Sequence, residues 1–449
     1  MHPAWWVAAA AFLAAVGAAG FRSVPGVLME PLHMEFGWSM GTISSAVSIN
    51  LVLYGLAAPF SAALMDRVGI KRVVVAALLL IAVGSVLPIW MTQPWQLLLC
   101  WGVVIGLGTG AMAMSFVAVV TGRWFVAQRG LVSGVLTAAA AAGQLVFLPL
   151  LASLSTEHGW RTAATVTTAA ALLVIPVVVW KLHDSPASIG VRAYGEAISG
   201  AADPAAVVTV PRRSGGNPAV VALRTLRMAS KRGVFWLLVG SFAICGMTTN
   251  GLVGTHFIPA AHDHGMAQTA AAGLLALVGI FDVVGTIFSG WLTDRFDPRW
   301  LLGIYYLGRG ASLLVLPSLF ANSVHPSMFV FILFYGLDWV ATVPPTIALC
   351  RMAFGDQGPV VFGWVFASHQ IGAAIAAGLT GLVRDKLGNY DLAWYVASAL
   401  CLFAAAMCLA VRRVTQDPEP AVSPASVVSL QKLMQVNGSG TNADADRAS

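Results

Sequence analysis

Long apolar runs without a charged residue constrain this chain more than any other feature. Examples are Val73 to Met91, Gly130 to Leu154, Ala163 to Trp180 and Leu392 to Val411. Each is close to the roughly 20 residues that a helix needs to cross about 30 Å of hydrocarbon. Strands are excluded because the runs do not alternate and because lipid offers no partner to an unpaired backbone. The sequence therefore predicts an all-α membrane protein in a lipid bilayer.

The composition supports this class. Hydrophobic residues make up 58% of the 449 residues and charged residues 10%, whereas soluble domains carry about 25% charged residues. The net charge of +6 does not indicate a nucleic-acid partner, because the charges lie at the ends of apolar runs. The five cysteines lie inside apolar runs with no CxxC spacing, which favours small buried side chains over disulfides or a metal site. We expect neither a metal nor a cofactor.

Loop and breaker residues divide the chain into apolar segments and polar connections. The twelve apolar segments cover approximately 5–29, 41–64, 73–91, 95–121, 130–154, 161–181, 234–257, 268–292, 300–320, 327–350, 359–383 and 392–411. The polar stretch 182–233 cannot span a membrane and is predicted to link two six-helix bundles, 1–181 and 234–413. The polar tail 414–449 is predicted to be disordered. The first segment has no Lys or Arg before its apolar core, so we expect an uncleaved helix rather than a signal peptide.

The placement of Lys and Arg predicts the orientation. Twelve spans put both termini on one side, and the loops of that side hold 20 Lys and Arg, whereas the opposite loops hold Arg161, Arg384 and Lys386. Because basic loops stay in the cytoplasm, both termini and the linker are predicted to be cytoplasmic. The membrane we expect is an inner (plasma) membrane of bacterial type.

Charged pairs end two of the apolar runs at matched positions. Asp66 and Arg67 end one run, and Asp294 and Arg295 end another, 228 positions later. A glycine lies 29 positions before each of the two aspartates. Such register indicates a duplicated six-helix unit, although glycines that coincide by chance are the alternative.

The first charged stretch, Ala62-x-x-x-Asp66-Arg67-x-Gly69-x-Lys71-Arg72, resembles the loop between helices two and three of the major facilitator superfamily. The second, Gly290-x-x-x-Asp294-Arg295-x-x-x-Arg299, resembles a degenerate copy of it. The resemblance implies two pseudo-symmetric six-helix bundles around a central cavity, functional as a monomer, that alternate between inward-open and outward-open states.

A carboxylate at such a helix end can accept hydrogen bonds from a neighbouring helix N-terminus and can pair with Arg. We therefore predict a conformational lock that opens at modest cost. Its predicted members are Asp66, Arg67, Arg72, Asp294 and Arg295. The alternative is that these charges only set the topology.

Ionisable residues deep in the apolar segments are costly and mark functional sites. Arg22 precedes Pro25-Gly26, a pair that can break the helix, and could bind a substrate carboxylate; its alternative is a stem that reaches the interface. Asp282 could carry the coupled proton, with a static ion pair or helix–helix hydrogen bond as the alternative. His369 can change charge near neutral pH, or it is packed with one hydrogen bond.

Two further ionisable residues are predicted to pair. Arg309 and Asp338 both lie near mid-membrane on consecutive antiparallel helices, so we predict a structural ion pair. Asp338 precedes Pro344-Pro345, which we expect to kink helix ten. The amides of Gln144 and Asn250 could add neutral hydrogen bonds to a solute.

Within the superfamily, two stretches resemble the monocarboxylate-porter branch and its bacterial relatives. In "GFRSVPGVL", Arg22 occupies the position that the branch usually fills with Lys. In "FDVVGTIFSG", Asp282 and Gly290 match the eighth-helix pattern Asp-x-x-x-Arg-x-x-x-Gly, but Thr286 stands in place of the Arg that is thought to bind the carboxylate. The predicted substrate-binding residues are Arg22, Asn250, Thr286, Gln144 and His369.

These observations together predict a secondary active transporter that works by alternating access. The predicted solute is a small, monocarboxylate-like organic anion, moved in symport with a proton. Because the branch's Arg is missing, the alternative is an uptake or efflux porter for a larger or less charged metabolite or drug, siderophore-like or vitamin-like. The sequence contains no Walker A or HExxH pattern, so we do not predict an enzyme.

Overall fold

Twelve long helices make up the architecture of the part of the chain that the structure describes. The structure, a computed structural model, describes residues 2–196 and 216–411, without the side chains of 22–26 and of a few other helical positions. These residues form helices and no β-strand. We number the long helices α1 Pro3–Phe36, α2 Met40–Val68, α3 Ile70–Val86, α4 Pro94–Trp124, α5 Arg129–His158, α6 Trp160–Lys181, α7 Gly233–Asp263, α8 Gln268–Thr293, α9 Pro298–Val315, α10 Pro326–Asp338 with Val343–Phe354, α11 Gly358–Leu387 and α12 Asp391–Ala410.

The helices are long and apolar enough to cross a membrane. By length and composition the described residues contain 11 such runs, and one of these, Pro326–Arg384, is 59 residues long. That run holds both α10 and α11. The chain turns between them at Gly355, whose φ of 56° is in the left-handed region that glycine tolerates. Twelve spans result, and they coincide with the twelve apolar segments of the sequence.

The helices form two bundles that repeat each other. In the first half α1 packs on α5 and α3 on α6, and in the second half α7 packs on α11 and α9 on α12. Adding six to each helix number converts the first set into the second. The main contacts between the halves, α2 with α11 and α5 with α8, are exchanged by the same rule. The predicted pair of pseudo-symmetric six-helix bundles is therefore confirmed.

The outer surface of the bundles is apolar. Leu173, Trp180, Phe334 and Phe403 are all at least 60% exposed. Soluble monomers rarely expose large contiguous apolar patches, whereas such side chains suit contact with lipid tails. The buried faces carry small residues, and these allow helices to approach closely.

Prolines and glycines affect the helices unequally. α1 continues unbroken through Pro25 and Gly26, where we expected that a break could occur; one missing N–H is tolerated when neighbouring helices hold the segment in place. α10 does break, over 339–342, before Pro344 and Pro345. Those two prolines cannot donate to the carbonyls four residues earlier, so the regular ladder ends there. α7 contains a π-helical turn, Met247–Val253.

The described part of the predicted linker contains a further α-helix. Pro218–Ala229 begins at an Asn217 cap and packs on α2 and α11, where Trp364 Nε1 donates to Ala222 O at 3.1 Å. Residues 197–215 and the tail predicted for 414–449 lie outside the described part of the chain. The turn between α1 and α2 matches a G-x-S-x-G pattern, Gly37 to Gly41, but its Ser39 hydroxyl accepts from Thr42 N at 3.1 Å as the N-cap of α2.

Candidate functional site

A cavity of about 810 Å³ lies between the two bundles. Its wall comes from α2, α4 and α5 of the first half and from α7, α8, α10 and α11 of the second. Most of the lining is apolar, but Gln144, Asn250, Asp282 and His369 are all part of it. An apolar hollow with a few convergent polar groups is the usual form of a small-molecule site.

The bundles touch closely at one end of this cavity. We call the end that carries Asp66 and Asp294 the motif end. There α5 and α8 meet through backbone, since a Cβ on Gly130 or on Gly290 would collide with the other chain segment. α2 and α11 meet likewise, because a Cβ on Gly363 would press on the backbone of Pro59. Small residues thus allow the halves to close the motif end.

The other end of the cavity is open. Leu51 and Val52 on α2 and Ile371 and Ile375 on α11 line the cavity, and each of them is about half exposed. The ion pairs at that end stay within one half: Glu35 pairs with Arg161, and Asp263 with Arg384. In the described part of the chain no ion pair joins the halves. The cavity therefore opens away from the motif end.

Asp294 is the predicted lock residue that bridges the halves. Its Oδ1 accepts from Gly130 N at 2.6 Å and its Oδ2 from Leu131 N at 2.8 Å, at the first turn of α5. A carboxylate there satisfies two backbone donors and meets the positive end of the helix dipole. Arg351 adds a second bridge, because its Nη1 donates to Gly122 O at 2.8 Å.

The other predicted lock residues do not bridge the halves. Asp66 is paired with Arg123 of its own half. Arg67 and Arg72 are exposed, and Arg295 donates to Trp291 O of its own helix at 3.0 Å and lies over that indole. The two copies of the motif are thus similar in sequence but differ in their contacts.

Asp282 reaches the cavity from the middle of α8. Its Oδ1 accepts from Thr286 Oγ1 at 2.8 Å and from Val340 N at 3.0 Å, and the residue is only 3% exposed. The Val340 N–H is available because α10 is broken there. Both hydrogen bonds end on the same oxygen, which leaves Oδ2 for a proton or a solute.

Arg309 and Asp338 lie behind this wall as an ion pair. Arg309 Nε is 2.6 Å from Asp338 Oδ2, and the Arg309 side chain is fully buried. Its Nη2 donates to the carbonyls of Asp338 and Trp339, at 2.7 and 3.3 Å. Ser289 Oγ donates to Ala341 O at 2.5 Å. Side chains of α8 and α9 therefore satisfy the carbonyls that the break in α10 exposes.

His369 and Cys245 face each other across the α7–α11 contact. His369 lines the cavity, is 9% exposed, and its Nδ1 has no hydrogen-bond partner among the described residues. Cys245 Sγ accepts from Arg309 Nη1 at 3.0 Å and lies 3.3 Å from Thr342 Oγ1. A group that needs a donor or an acceptor from a solute is thus available at His369.

The remaining predicted binding residues fall into three situations. Gln144 and Asn250 line the cavity, and Asn250 lies in the π-helical turn of α7, a feature that often occurs at functional sites. Thr286 is fully buried, does not line the cavity, and donates a hydrogen bond to Asp282. Arg22 lies on α1, but its side chain is outside the described residues.

Sequence reasoning missed the contribution of Cys245. We classed it with the other cysteines as a small buried side chain, and all five are indeed free and buried. Cys245 differs because it lines the cavity and accepts a hydrogen bond from Arg309. Its spacing of four from Thr249, another lining residue, is the available signal, because residues four apart share a helix face.

Comparison with known proteins agrees with this architecture. The family model described as Major Facilitator Superfamily matches residues 11–281 and 243–438. An MFS-type transporter of Bacillus subtilis (strain 168), YcxA, is 25% identical over 398 residues, 86% of this chain and 90% of that protein. Monocarboxylate transporter 13 of Rattus norvegicus is 24% identical over 416 residues, 89% of this chain and 86% of that protein.

Solved structures share the fold. The E. coli fucose:proton symporter FucP superposes with a TM-score of 0.61 at 16% identity, over 90% of this chain and 98% of that one. The proton:xylose symporter XylE superposes with a TM-score of 0.66 at 15% identity, over 90% of this chain and 94% of that one. On the family match and on these relatives, the chain belongs to the Major Facilitator Superfamily and is a transporter.

Proposed function

We propose that this transporter moves a monocarboxylate-like organic anion together with a proton, and that Asp282 carries the proton. The observation that carries the proposal is the position of Asp282, a carboxyl group in the cavity wall with no ion-pair partner among the described residues. The only nearby buried arginine among those residues, Arg309, is already paired with Asp338.

Electrostatics then couples the two ligands. An ionised Asp282 repels an anion in the cavity, and this repulsion is strong where little water screens it. A protonated Asp282 does not repel it, so each ligand favours the binding of the other. Protonation at Oδ2 leaves Oδ1 as the acceptor of both hydrogen bonds but removes the charge that strengthens them. Arg22, His369, Asn250 and Gln144 are the proposed anion-binding residues.

The orientation is part of the proposal. We infer that the motif end and both termini face the cytoplasm of a cell with a bacterial-type inner membrane, because basic residues concentrate at that end. The open cavity then faces outward, and the motif end must separate for release. In the proposed division, residues 1–181 and 234–413 move against each other, and the lock at Asp294 opens in each cycle.

A second candidate is a larger or less charged solute. The cavity of about 810 Å³ has the size of pockets that take drug-sized molecules, so a short carboxylic acid would fill a fraction of it. Thr286, which replaces the branch's Arg, is engaged with Asp282 and cannot supply the missing charge. These observations favour a solute whose apolar body fills the cavity.

Transport in liposomes tests the proposal. Purified protein is reconstituted, and labelled monocarboxylates are supplied with acid outside. We expect accumulation above the outside concentration, which Arg22→Ala abolishes. Asp282→Asn should exchange labelled for unlabelled solute but should no longer accumulate it. Glu157→Gln is the matched control, because it removes an exposed carboxylate at the open end and should transport normally.

Two outcomes would reject the proposal. If no carboxylate moves in any imposed gradient, the solute class is wrong, and a competition series of larger acids and of their neutral amides then tests the second candidate. If Asp282→Asn still accumulates solute uphill, the proton is carried elsewhere.

A further inference from the structure

A second, smaller cavity lies between the halves at the motif end. It holds about 150 Å³ and is separate from the central cavity. Its wall includes Arg129 and Gly130 of α5, Ser133 one turn further, Asp294, and Arg351 of α10. A cavity of this volume accepts a ligand about as large as benzene. A wall with two arginines differs from the glycine and backbone contacts that join the halves beside it.

Both arginines have N–H donors that form no hydrogen bond to a described residue. Arg351 uses Nη1 for Gly122 O, and Arg129 uses Nε for Phe125 O; no other hydrogen bond of either side chain joins it to a described residue. A guanidinium has five N–H donors. Asp294 is the carboxylate of this wall, and both of its oxygens are occupied by Gly130 N and Leu131 N. The lining therefore has an excess of positive charge and of free donors.

Ser133 provides an independent sign of a ligand. Its side chain is 2% exposed, it lines this cavity, and its Oγ has no hydrogen-bond partner among the described residues. A buried hydroxyl without a partner costs about 1–3 kcal/mol. Such groups are uncommon unless something fills the space beside them.

We propose that this cavity binds a small oxyanion, a carboxylate or a phosphate, from the aqueous phase at the motif end. Arg129 and Arg351 supply the charge-assisted hydrogen bonds, and the Ser133 hydroxyl donates a third. Because Arg129 and Ser133 belong to one half and Arg351 to the other, the anion connects the halves. Its binding stabilises the closed motif end, so the oxyanion slows the opening that transport requires.

Asp356 is a further acid near this site, and its charge acts on Arg351. It is exposed, it does not line the cavity, and it forms no ion pair with Arg351 or with another described residue. Water and salt screen a charge in that position. The excess positive charge of the cavity therefore remains.

Thermal unfolding of the full chain in neutral detergent tests the site without any transport assay. Inorganic phosphate and acetate are titrated at constant ionic strength, with chloride as the reference. Ligands that bind only the folded state raise the unfolding temperature in a saturable way, and we expect this for both oxyanions. Arg351→Met should weaken the apparent affinity by roughly tenfold or more, since a hydrogen bond to a charged group is lost. Arg224→Met is the matched control, because it removes an exposed cation from the linker helix and should bind as the unaltered protein does.

Ser133→Ala is a second test of the site that does not depend on whether the Arg351 variant folds. The hydroxyl has no partner within the protein, so its removal should leave the unliganded unfolding temperature unchanged or raised. The affinity for phosphate should nevertheless fall, roughly two- to tenfold. The proposal is overturned if chloride acts like phosphate, if no saturable response exists, or if Arg351→Met and Ser133→Ala bind as the unaltered protein does. A response to vesicles of anionic phosphatidylglycerol, with none to dissolved phosphate or acetate, also overturns it.

Discussion

The replacement Asp294→Asn tests whether the motif end is held closed by one carboxylate. Asparagine keeps one acceptor for the first turn of α5, but it loses the charge and presents an NH₂ to the second backbone donor. The loss of a helix cap costs about 0.5–2 kcal/mol, and a charge at a helix N-terminus is worth about 0.3–1 kcal/mol. Because Asp294 is exposed to solvent, we take a total of about 1–2 kcal/mol, which shifts the ratio of closed to open protein by roughly 5- to 30-fold.

Spin labels report this shift directly. Val126 and Phe296 are exposed, lie at the motif end and belong to different halves, so cysteines at these positions can carry the labels. The native cysteines are buried and should label poorly. Pulsed electron paramagnetic resonance then measures the distribution of distances between the two spin labels, and so between the halves. We expect the short-distance population to decrease in Asp294→Asn, with little change in unfolding temperature, because the contacts within each half remain.

The matched control is Asp66→Asn, which changes the equivalent residue of the other repeat. Asp66 is paired with Arg123 inside its own half, so the distance distribution should stay as it is in the unaltered protein. A symmetric lock would instead respond equally to both replacements. Equal shifts, or no shift in Asp294→Asn, would refute the idea that Asp294 closes this end.

Two further predictions concern ion pairs within the halves. Arg309→Met leaves Asp338 as a buried carboxylate without its partner and should destabilise the fold by about 3–5 kcal/mol. Adding Asp338→Asn should recover part of this loss of stability in thermal unfolding. An Arg309→Met variant as stable as the unaltered protein would contradict the structural role of the pair. The hydrogen bonds from Arg161 and from Trp160 Nε1 hold the pKa of Glu35 below its ordinary value of 4.5. The stabilisation by Glu35 is therefore present above about pH 4.5 and lost as the pH falls below it. On acidification, the unfolding temperature of Glu35→Gln should fall less than that of the unaltered protein. Identical profiles of unfolding temperature against pH for the two proteins would argue against the contact.

Sequence reasoning was strong where the membrane imposes the answer. Uncharged runs of about 20 residues predict spans, because an unpaired backbone cannot lie in lipid. The matched positions of Asp66 and Asp294 predict the duplication. Pro344 and Pro345 predict a kink in α10, and the helix is in fact broken just before them, because two consecutive residues without N–H cannot continue the ladder. Each of these inferences rests on a local rule.

Contacts between helices were harder to predict from the sequence. The two Asp-Arg copies look alike in sequence, yet only Asp294 reaches the other half, because the partner depends on which helix start packs beside it. Thr286 and Asp282 are four residues apart, and the sequence does not tell that the threonine hydroxyl is turned toward the carboxylate and away from the cavity. The positive cavity at Arg129 and Arg351 joins positions far apart in the chain, a juxtaposition that no spacing rule contains.

α10 connects the proposed proton site to the contacts that close the motif end. In the break of α10, the Val340 N–H donates to Asp282. The last turn of α10 carries Arg351, which donates a hydrogen bond to Gly122 O of the other half. The helical segment that follows the break begins at Val343, eight positions before Arg351, which is about 12 Å along a helix. A change of charge at Asp282 alters the acceptor of the Val340 N–H, and a rigid segment can carry a resulting shift to Arg351. We therefore expect Asp282→Asn to change the spin-label distances at the motif end as well as proton-driven uptake; a loss of uptake with unchanged distances would show that Asp282 acts only on the solute.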